Sequence, residues 1–408
     1  MKIILAHKYF YRGAGAETYL FDIMDLLKEH GHEVIPFSMH HPRNERTSWS
    51  KYFVSHVDFS APMGIGEKIK SAGRMIYSLE AKRQFELLVQ ETKPDIVHIQ
   101  NIYHHISPSI LDVCSKYKIP VIQTVHDYKL ICPNRLFCNG QIETLCKGGM
   151  YYKEVLHRCT QHSFSASALL ALEMYIHKWM HIYDRGVRYW IAPSQSTKDI
   201  LVEYGMPKER ISVMYSPVDT TDIAPSTTTG KYLFVFGRLS EEKGIDVAIR
   251  AMKHLPKQRL IIAGEGPQKE YLLRLARSEG VDDRVEFLGF VKGAPLKKLI
   301  REANLVLMPS IGYEVMGYSM TEAMAASKAV LGSRIGGIPE VLGSVDKRLL
   351  FTPGNEVDLA QKALVLLSNA VLAKRLGQQS RSWVQKNLFP EDYYARLIEL
   401  YKKAMKQK

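Results

Sequence analysis

Two glutamates separated by seven residues, Glu314 and Glu322, frame the stretch Gly312-Tyr313-Glu314-Val315-Met316-Gly317-Tyr318-Ser319-Met320-Thr321-Glu322-Ala323-Met324-Ala325. The second glutamate opens a run of small residues that reads as a helix. Backbone N–H groups at a helix start bind phosphate, and a glycine such as Gly317 lets a ligand approach the chain closely. Tyr318, Ser319 and Met320 then lie where a diphosphate would meet those amides. Glu322, one turn further in, is placed to accept hydrogen bonds from ribose hydroxyls. Glu314, in the loop, is placed to reach a sugar. Upstream, Arg238 and Lys243 follow the strand-like run Tyr232–Phe236. Two cations past a strand stand where doubly wound sheets bind ligands, and they can neutralise a diphosphate.

The elements that must carry these residues are legible as alternating strands and helices. Lys2–Ala6, Glu33–Phe37, Asp95–Gln100, Val121–Val125, Arg188–Ala192 and Ile211–Met214 read as strands of one parallel sheet. Tyr19, Ile23, Leu26 and Leu27 recur at helical spacing after the first of them, and that helix stops near Gly31. A polar, turn-rich stretch from Ser216 to Gly230 follows. The pattern then restarts with Tyr232–Phe236, Arg259–Ala263, Val285–Leu288, Leu305–Met308 and Ala329–Leu331. That is a second α/β unit. The tail from Glu391 to Lys406 reads as a helix with Leu397, Leu400, Tyr401 and Ala404 on one face.

The glutamate block, with Ser327-Lys328-Ala329-Val330 and Gly336-Gly337-Ile338-Pro339-Glu340-Val341 after it, resembles the donor-site signature of family-4 retaining glycosyltransferases. Phe236-Gly237-Arg238-Leu239-Ser240-Glu241-Glu242-Lys243-Gly244 resembles the family's G-R-L-x-x-x-K-G element. Ala263-Gly264-Glu265-Gly266-Pro267 resembles its G-D/E-G-P turn, and Phe287-Leu288-Gly289-Phe290-Val291 its nucleobase loop. Order and spacing agree over residues 230–345. The likeness is looser in the first half. There Arg12-Gly13-Ala14-Gly15-Ala16-Glu17 resembles the G-G-x-E loop, with Ala14 where the first glycine stands, leaving Gly15 for close approach to the diphosphate. Thr124-Val125-His126-Asp127 also matches.

The resemblance implies the GT-B architecture: α/β, two facing Rossmann-like domains with an interdomain cleft and a C-terminal helix crossing back to the first. The expected division is an acceptor-binding domain at 1–215, a nucleotide-sugar-binding domain at 216–386 and the returning helix at 387–408. It implies Glu314, His126, Lys243 and Arg238 as catalytic groups. Gly15, Gly264, Phe290, Val291, Gly317, Tyr318, Ser319, Met320 and Glu322 complete the donor site with Arg238, Lys243 and Glu314. The donor is expected to be a UDP- or GDP-sugar, and the acceptor a glycan or lipid-linked glycan of bacterial surface polysaccharide synthesis. No metal is expected in catalysis, and the chain lacks an obvious D-x-D motif. A nucleotide-sugar epimerase and an inactive nucleotide-sugar-binding protein are the rival readings on this fold.

The chain has 408 residues, enough for two full cores, and carries a net charge of +13. That excess favours anions: nucleotide phosphates or an anionic membrane surface. No Lys/Arg block marks a nucleic-acid arm. The apolar run Met1–Ala6 meets His7, Lys8 and Arg12 at once, too short for a signal peptide, so a cytoplasmic chain is expected, peripheral on the inner membrane face. Two segments suit such attachment or packing on the first domain. One has Lys68, Lys70, Arg74, Lys82 and Arg83 around Ile69, Ala72, Ile76 and Leu79; the other runs over Ser165–Tyr183. Five cysteines do not read as a disulfide framework. Cys132, Cys138, Cys146 and Cys159 cluster as a candidate structural zinc clamp, or stay as reduced, partly buried thiols.

Overall fold

The computed structural model describes residues 1–13, 15–57, 64–226 and 230–406. Ala14 and residues 227–229 of the polar stretch lie outside them, as do the side chains of Lys68 and Ile69. In the first half the strands are β1 (Lys2–Ala6), β2 (Glu33–Phe37), β3 (Ile96–Ile99), β4 (Val121–Thr124), the short hairpin β5 (Phe137–Cys138) and β6 (Gln141–Ile142), β7 (Tyr189–Ala192) and β8 (Ile211–Val213). In the second they are β9 (Leu233–Phe236), β10 (Leu260–Ala263), β11 (Val285–Gly289), β12 (Leu305–Met308), β13 (Val330–Ser333) and β14 (Leu350–Phe351). The first sheet runs β2-β1-β3-β4-β7-β8 and the second β11-β10-β9-β12-β13-β14, with every pairing parallel.

Helices cover both faces of each sheet, so strands such as Leu305–Met308 are buried throughout and read as unbroken apolar runs. The helix Gly15–Glu29 buries Tyr19, Ile23, Leu26 and Leu27, and Gly31 ends it at φ 74°. The Gly31 amide returns to Lys28 O and the His32 amide to Leu27 O, which satisfies the last carbonyls. In each sheet the chain leaves a central strand, β1 or β9, for opposite sides. That reversal opens a crevice at the C-terminal strand ends, where α/β sheets bind ligands.

The last helix, Pro390–Lys406, crosses back onto the first domain. Tyr393, Leu397, Leu400, Tyr401 and Ala404 pack with Ile3, Leu5 and Tyr19. The Tyr401 hydroxyl meets His98 Nδ1 at 2.7 Å. The basic segment around Arg74 is two helices rather than one: Ile65–Ile76 ends, and Ser78 caps Leu79–Thr92 by accepting from the Ala81 amide at 3.1 Å. Arg74 is spent internally on Glu80, Ser55 and the His105 carbonyl.

Candidate active site

Loops at C-terminal strand ends build one side of the cleft. After β9, Gly237 adopts φ 138° and turns the chain into Arg238, Ser240 and Lys243. Gly244 follows at φ 59°, where a side chain would strike the Pro309 carbonyl at 2.1 Å, so only glycine lets this loop lie against the one after β12. That contact sets Lys243 Nζ 2.6 Å from Glu314 Oε1. Ser310 Oγ donates to the same oxygen at 2.7 Å. Glu314 is buried and held from two directions before any ligand arrives. Arg238 stays largely exposed, pairing with Glu242 at 2.9 Å, so its guanidinium can turn toward an anion. The helix Tyr318–Ala325 begins directly above, and no side chain caps its start after Gly317. The Met320 and Thr321 amides turn back to Gly317 O, at 3.1 and 3.3 Å, and the Tyr318 and Ser319 amides ahead of them have no intrahelical acceptor, as at any helix start.

The first domain closes the other side. A Cβ on Gly15 would come within 2.7 Å of the Tyr318 ring, so the absence of a side chain at Gly15 allows the domains to meet here. His126, at the end of β4, is half-buried; its Nε2 meets Gln100 Oε1 at 2.6 Å and its ring lies edge-on to Tyr19. Burial, then the neighbouring His7, lowers its pKa to about 3, so the imidazole is neutral at working pH. His7 Nε2 meets Glu17 Oε1 at 3.0 Å. Lys8 is lowered by burial and by the charges of Arg135 and Arg238, which places three cations from two domains within each other's field. Burial opposes ionisation of Asp127, yet Arg135, 3.1 Å away, holds its carboxyl low.

Glu322 is raised to about 7 by burial and by Asp22 of the first domain, against a smaller opposing effect of Lys297. Asp22 is raised to about 7 likewise, by burial and by Asp25 and Asp219, with Arg12 opposing. Behind the cleft, Glu340 accepts from the Gln195 amide at 2.9 Å and the Ser196 amide at 3.1 Å, and the Tyr215 hydroxyl donates to it. A carboxylate of the second domain therefore sits on the first turn of a first-domain helix, Gln195–Glu203.

A family model described as Glycosyltransferase Family 4 matches residues 13–222, more than half of the chain, and one described as Glycosyl transferases group 1 matches residues 220–383. The chain belongs to glycosyltransferase family 4. It is 28% identical over 355 residues to an uncharacterized 42.6 kDa protein in the cps region of Klebsiella pneumoniae, covering 84% of this chain and 87% of that one. It is 25% identical over 333 residues to an uncharacterized glycosyltransferase of Methanocaldococcus jannaschii, covering 77% and 76%. The crystal structure of Anabaena HepE in complex with UDP has the same fold, with a TM-score of 0.69 at 18% identity over 99% of this chain and 100% of that one. The family-4 chain is thus a GT-B glycosyltransferase.

Within this family-4 site the structure brings Arg238, Lys243, Glu314, Gly317, Tyr318, Ser319 and Glu322 to one wall and Gly15 and His126 to the other. Phe290 is 52% exposed and Val291 partly so, on a turn joined to Gly264 through the Gly264 amide and Gly289 O at 2.7 Å. Gly264 itself is buried, and a Cβ there would strike the Gly237 carbonyl at 1.8 Å; the loops pack through it. The Met320 side chain lies in the core, and its amide bonds back to Gly317 O at 3.1 Å, so of the three residues expected to meet a diphosphate it is spent inside the helix start. Lys8, Asp22, Arg135 and Ser310 were not singled out in the sequence. Lys8 follows β1 by two residues, as Arg238 follows β9, and that shared offset is a signal that could have found it.

The four clustered cysteines do not form one clamp. Cys138 and Cys159 are joined in a disulfide, while Cys114, Cys132 and Cys146 are free and buried. The hairpin β5–β6 brings Cys138 back beside the loop that carries Cys159. Neither a zinc set of all four nor four reduced thiols describes this arrangement.

Proposed function

We propose that this family-4 enzyme moves a sugar from a nucleoside-diphosphate sugar, UDP- or GDP-linked, to a glycan or lipid-linked glycan acceptor in bacterial surface polysaccharide synthesis, with retention at the anomeric carbon. The Lys243–Glu314 pair at 2.6 Å, beneath an uncapped helix start, is the observation that carries this reading. As the glycosidic bond breaks, negative charge grows on the diphosphate and positive charge on the ring. Lys243, Arg238 and the Tyr318 and Ser319 amides are placed for the first, which gives the leaving group a seat without a metal. Glu314 is placed to orient sugar hydroxyls and favour the second. The acceptor hydroxyl attacks from the leaving-group face, and its proton passes to the departing diphosphate oxygen. Neutral His126 meets the sugar as a hydrogen-bonding group rather than a cation. The cps-region relative supports a polysaccharide acceptor, and the UDP complex of HepE supports a UDP donor.

The test is single-turnover transfer from matched donors, with the anomeric configuration of the product read by NMR. Lys243→Ala and Glu314→Ala are each expected to lose about 10²–10³ in turnover with the fold intact. Near wild-type transfer by both variants, or an inverted product, overturns the reading. A sugar epimerised without acceptor would favour the epimerase instead.

A membrane-facing surface belongs to the same proposal. No helix among the described residues is long and apolar enough to cross a bilayer. The helix Phe164–Trp179 buries Ser167, Ala171, Met174 and His177, yet its outer stripe is also apolar. Trp179 is 82% exposed, Phe164 62% and, on the adjacent helix Tyr152–Leu156, Leu156 71%. Arg158 and Lys178 are exposed beside them. Exposed apolar side chains with two cations on the same elements fit the headgroup layer of an anionic leaflet.

A further inference from the structure

Cys132, Cys146 and Glu154 offer two sulfurs and a carboxylate oxygen that all lie within 4.8 Å of one another, and all three residues are buried. Glu154 is only 1% exposed. Its Oε1 accepts from Thr160 Oγ1 at 2.5 Å, while its Oε2 has no hydrogen-bond partner. Ser167 Oγ accepts from the Thr160 amide at 3.0 Å and bears on the same carboxylate as a donor, and the Lys129 charge also reaches it. A buried carboxylate oxygen without a donor is costly unless a cation meets it.

We propose that Cys132, Cys146 and Glu154 bind a thiophilic divalent cation of the zinc class, outside the donor site. Two thiolates with one carboxylate select a borderline-soft ion; magnesium and calcium would require oxygens throughout. Zinc–sulfur bonds of about 2.3 Å place tetrahedral ligands about 3.8 Å apart, so the three atoms need to draw in by no more than about 1 Å. Binding releases the thiol protons to solvent and replaces them with the metal charge. Three protein ligands leave one tetrahedral position for water, since Cys138 and Cys159 are occupied with each other.

The site has a consequence for the cleft. The Arg135 amide returns to Cys132 O at 3.1 Å, and the Arg135 guanidinium reaches Asp127 beside His126. A metal at Cys132 therefore anchors the loop whose cation bears on Lys8.

The experiment is elemental analysis of the full chain purified gently, with competition against a chromophoric chelator. About one zinc per chain is expected. Glu154→Gln, which keeps side-chain shape, and Cys132→Ser are each expected to weaken zinc at least about tenfold. The double variant Cys138→Ser/Cys159→Ser is expected to keep it. Cobalt substituted into the wild type should show thiolate-to-metal charge-transfer absorption, a readout independent of any variant's folding. Wild type that takes up no zinc or cobalt overturns the proposal. So does zinc lost with the Cys138/Cys159 pair, or a Cys132–Cys146 disulfide found by mass mapping.

Discussion

Glu322 titrates where few carboxylates do. Burial and the facing Asp22 raise it from an ordinary 4.5 to about 7. Between those values the folded chain carries a proton that the unfolded chain has lost. This group's contribution to stability therefore falls as pH rises from about 4.5 to about 7 and is level above. Thermal melts across that window should show the fall, and Glu322→Gln should reduce it, leaving the part that Asp22, also raised to about 7, contributes. A variant that melts with the wild-type pH profile assigns the slope elsewhere. The same shift bears on the ligand. Ribose hydroxyls donate to a carboxylate more strongly than to a carboxylic acid, so nucleoside-diphosphate affinity should tighten through about pH 7 in the wild type relative to Glu322→Gln. Glu322→Ala should weaken that binding about 10- to 150-fold, the equivalent of one charged hydrogen bond. Calorimetry that shows equal affinity for wild type and alanine variant removes the ribose assignment.

At the scale of elements, the chain joins its halves by helix ends and returning helices rather than by strand pairing. Glu340 is the clearest joint: a second-domain carboxylate accepting two amides at the start of the first-domain helix Gln195–Glu203. Such charge-assisted bonds are worth about 1.5–3 kcal/mol. Glu340→Ala should therefore speed hydrogen exchange at Gln195 and Ser196 about 10- to 150-fold while the strands of both sheets keep their protection. Unchanged exchange there would mean that Ser194, which accepts from the Thr197 amide at 3.1 Å, caps the helix unaided. The final helix is a second joint, with Tyr401 on His98 and Tyr393 on Tyr19. The donor wall thus hinges on contacts that lie behind it.

At the scale of the whole molecule, the positive excess has two destinations. Lys8, Arg135 and Arg238 spend part of it in the cleft. Arg158 and Lys178 carry part to the apolar face around Trp179. Attraction to an anionic surface weakens as salt screens it. Flotation with anionic liposomes should succeed at low salt and decline as salt rises, and Trp179→Ser with Leu156→Ser should reduce it at every salt. No flotation at any ionic strength would remove the membrane surface and leave the transferase untouched.

The residue sequence by itself determined the layered architecture and named the residues proposed for the donor wall. Strands buried on both faces must be short apolar runs, and the bounds of Lys2–Ala6, Glu33–Phe37 and Leu305–Met308 follow from residue type alone. Arg238, Lys243, Glu314 and Glu322 stood out through ordered motifs that resemble the family's donor site, and each lies a few residues from a strand or helix end. Tertiary structure alone decided what meets across long separations. Pairing Cys138 with Cys159 depends on a two-strand hairpin too short to show a period. The break at Ser78 depends on a cap, and a basic amphipathic pattern continues through it. Asp22 facing Glu322, and Glu340 on Gln195, arise from docking two domains whose mutual angle no local pattern encodes. Periodicity reports burial, which is a property of one element; convergence of side chains is a property of how elements are packed.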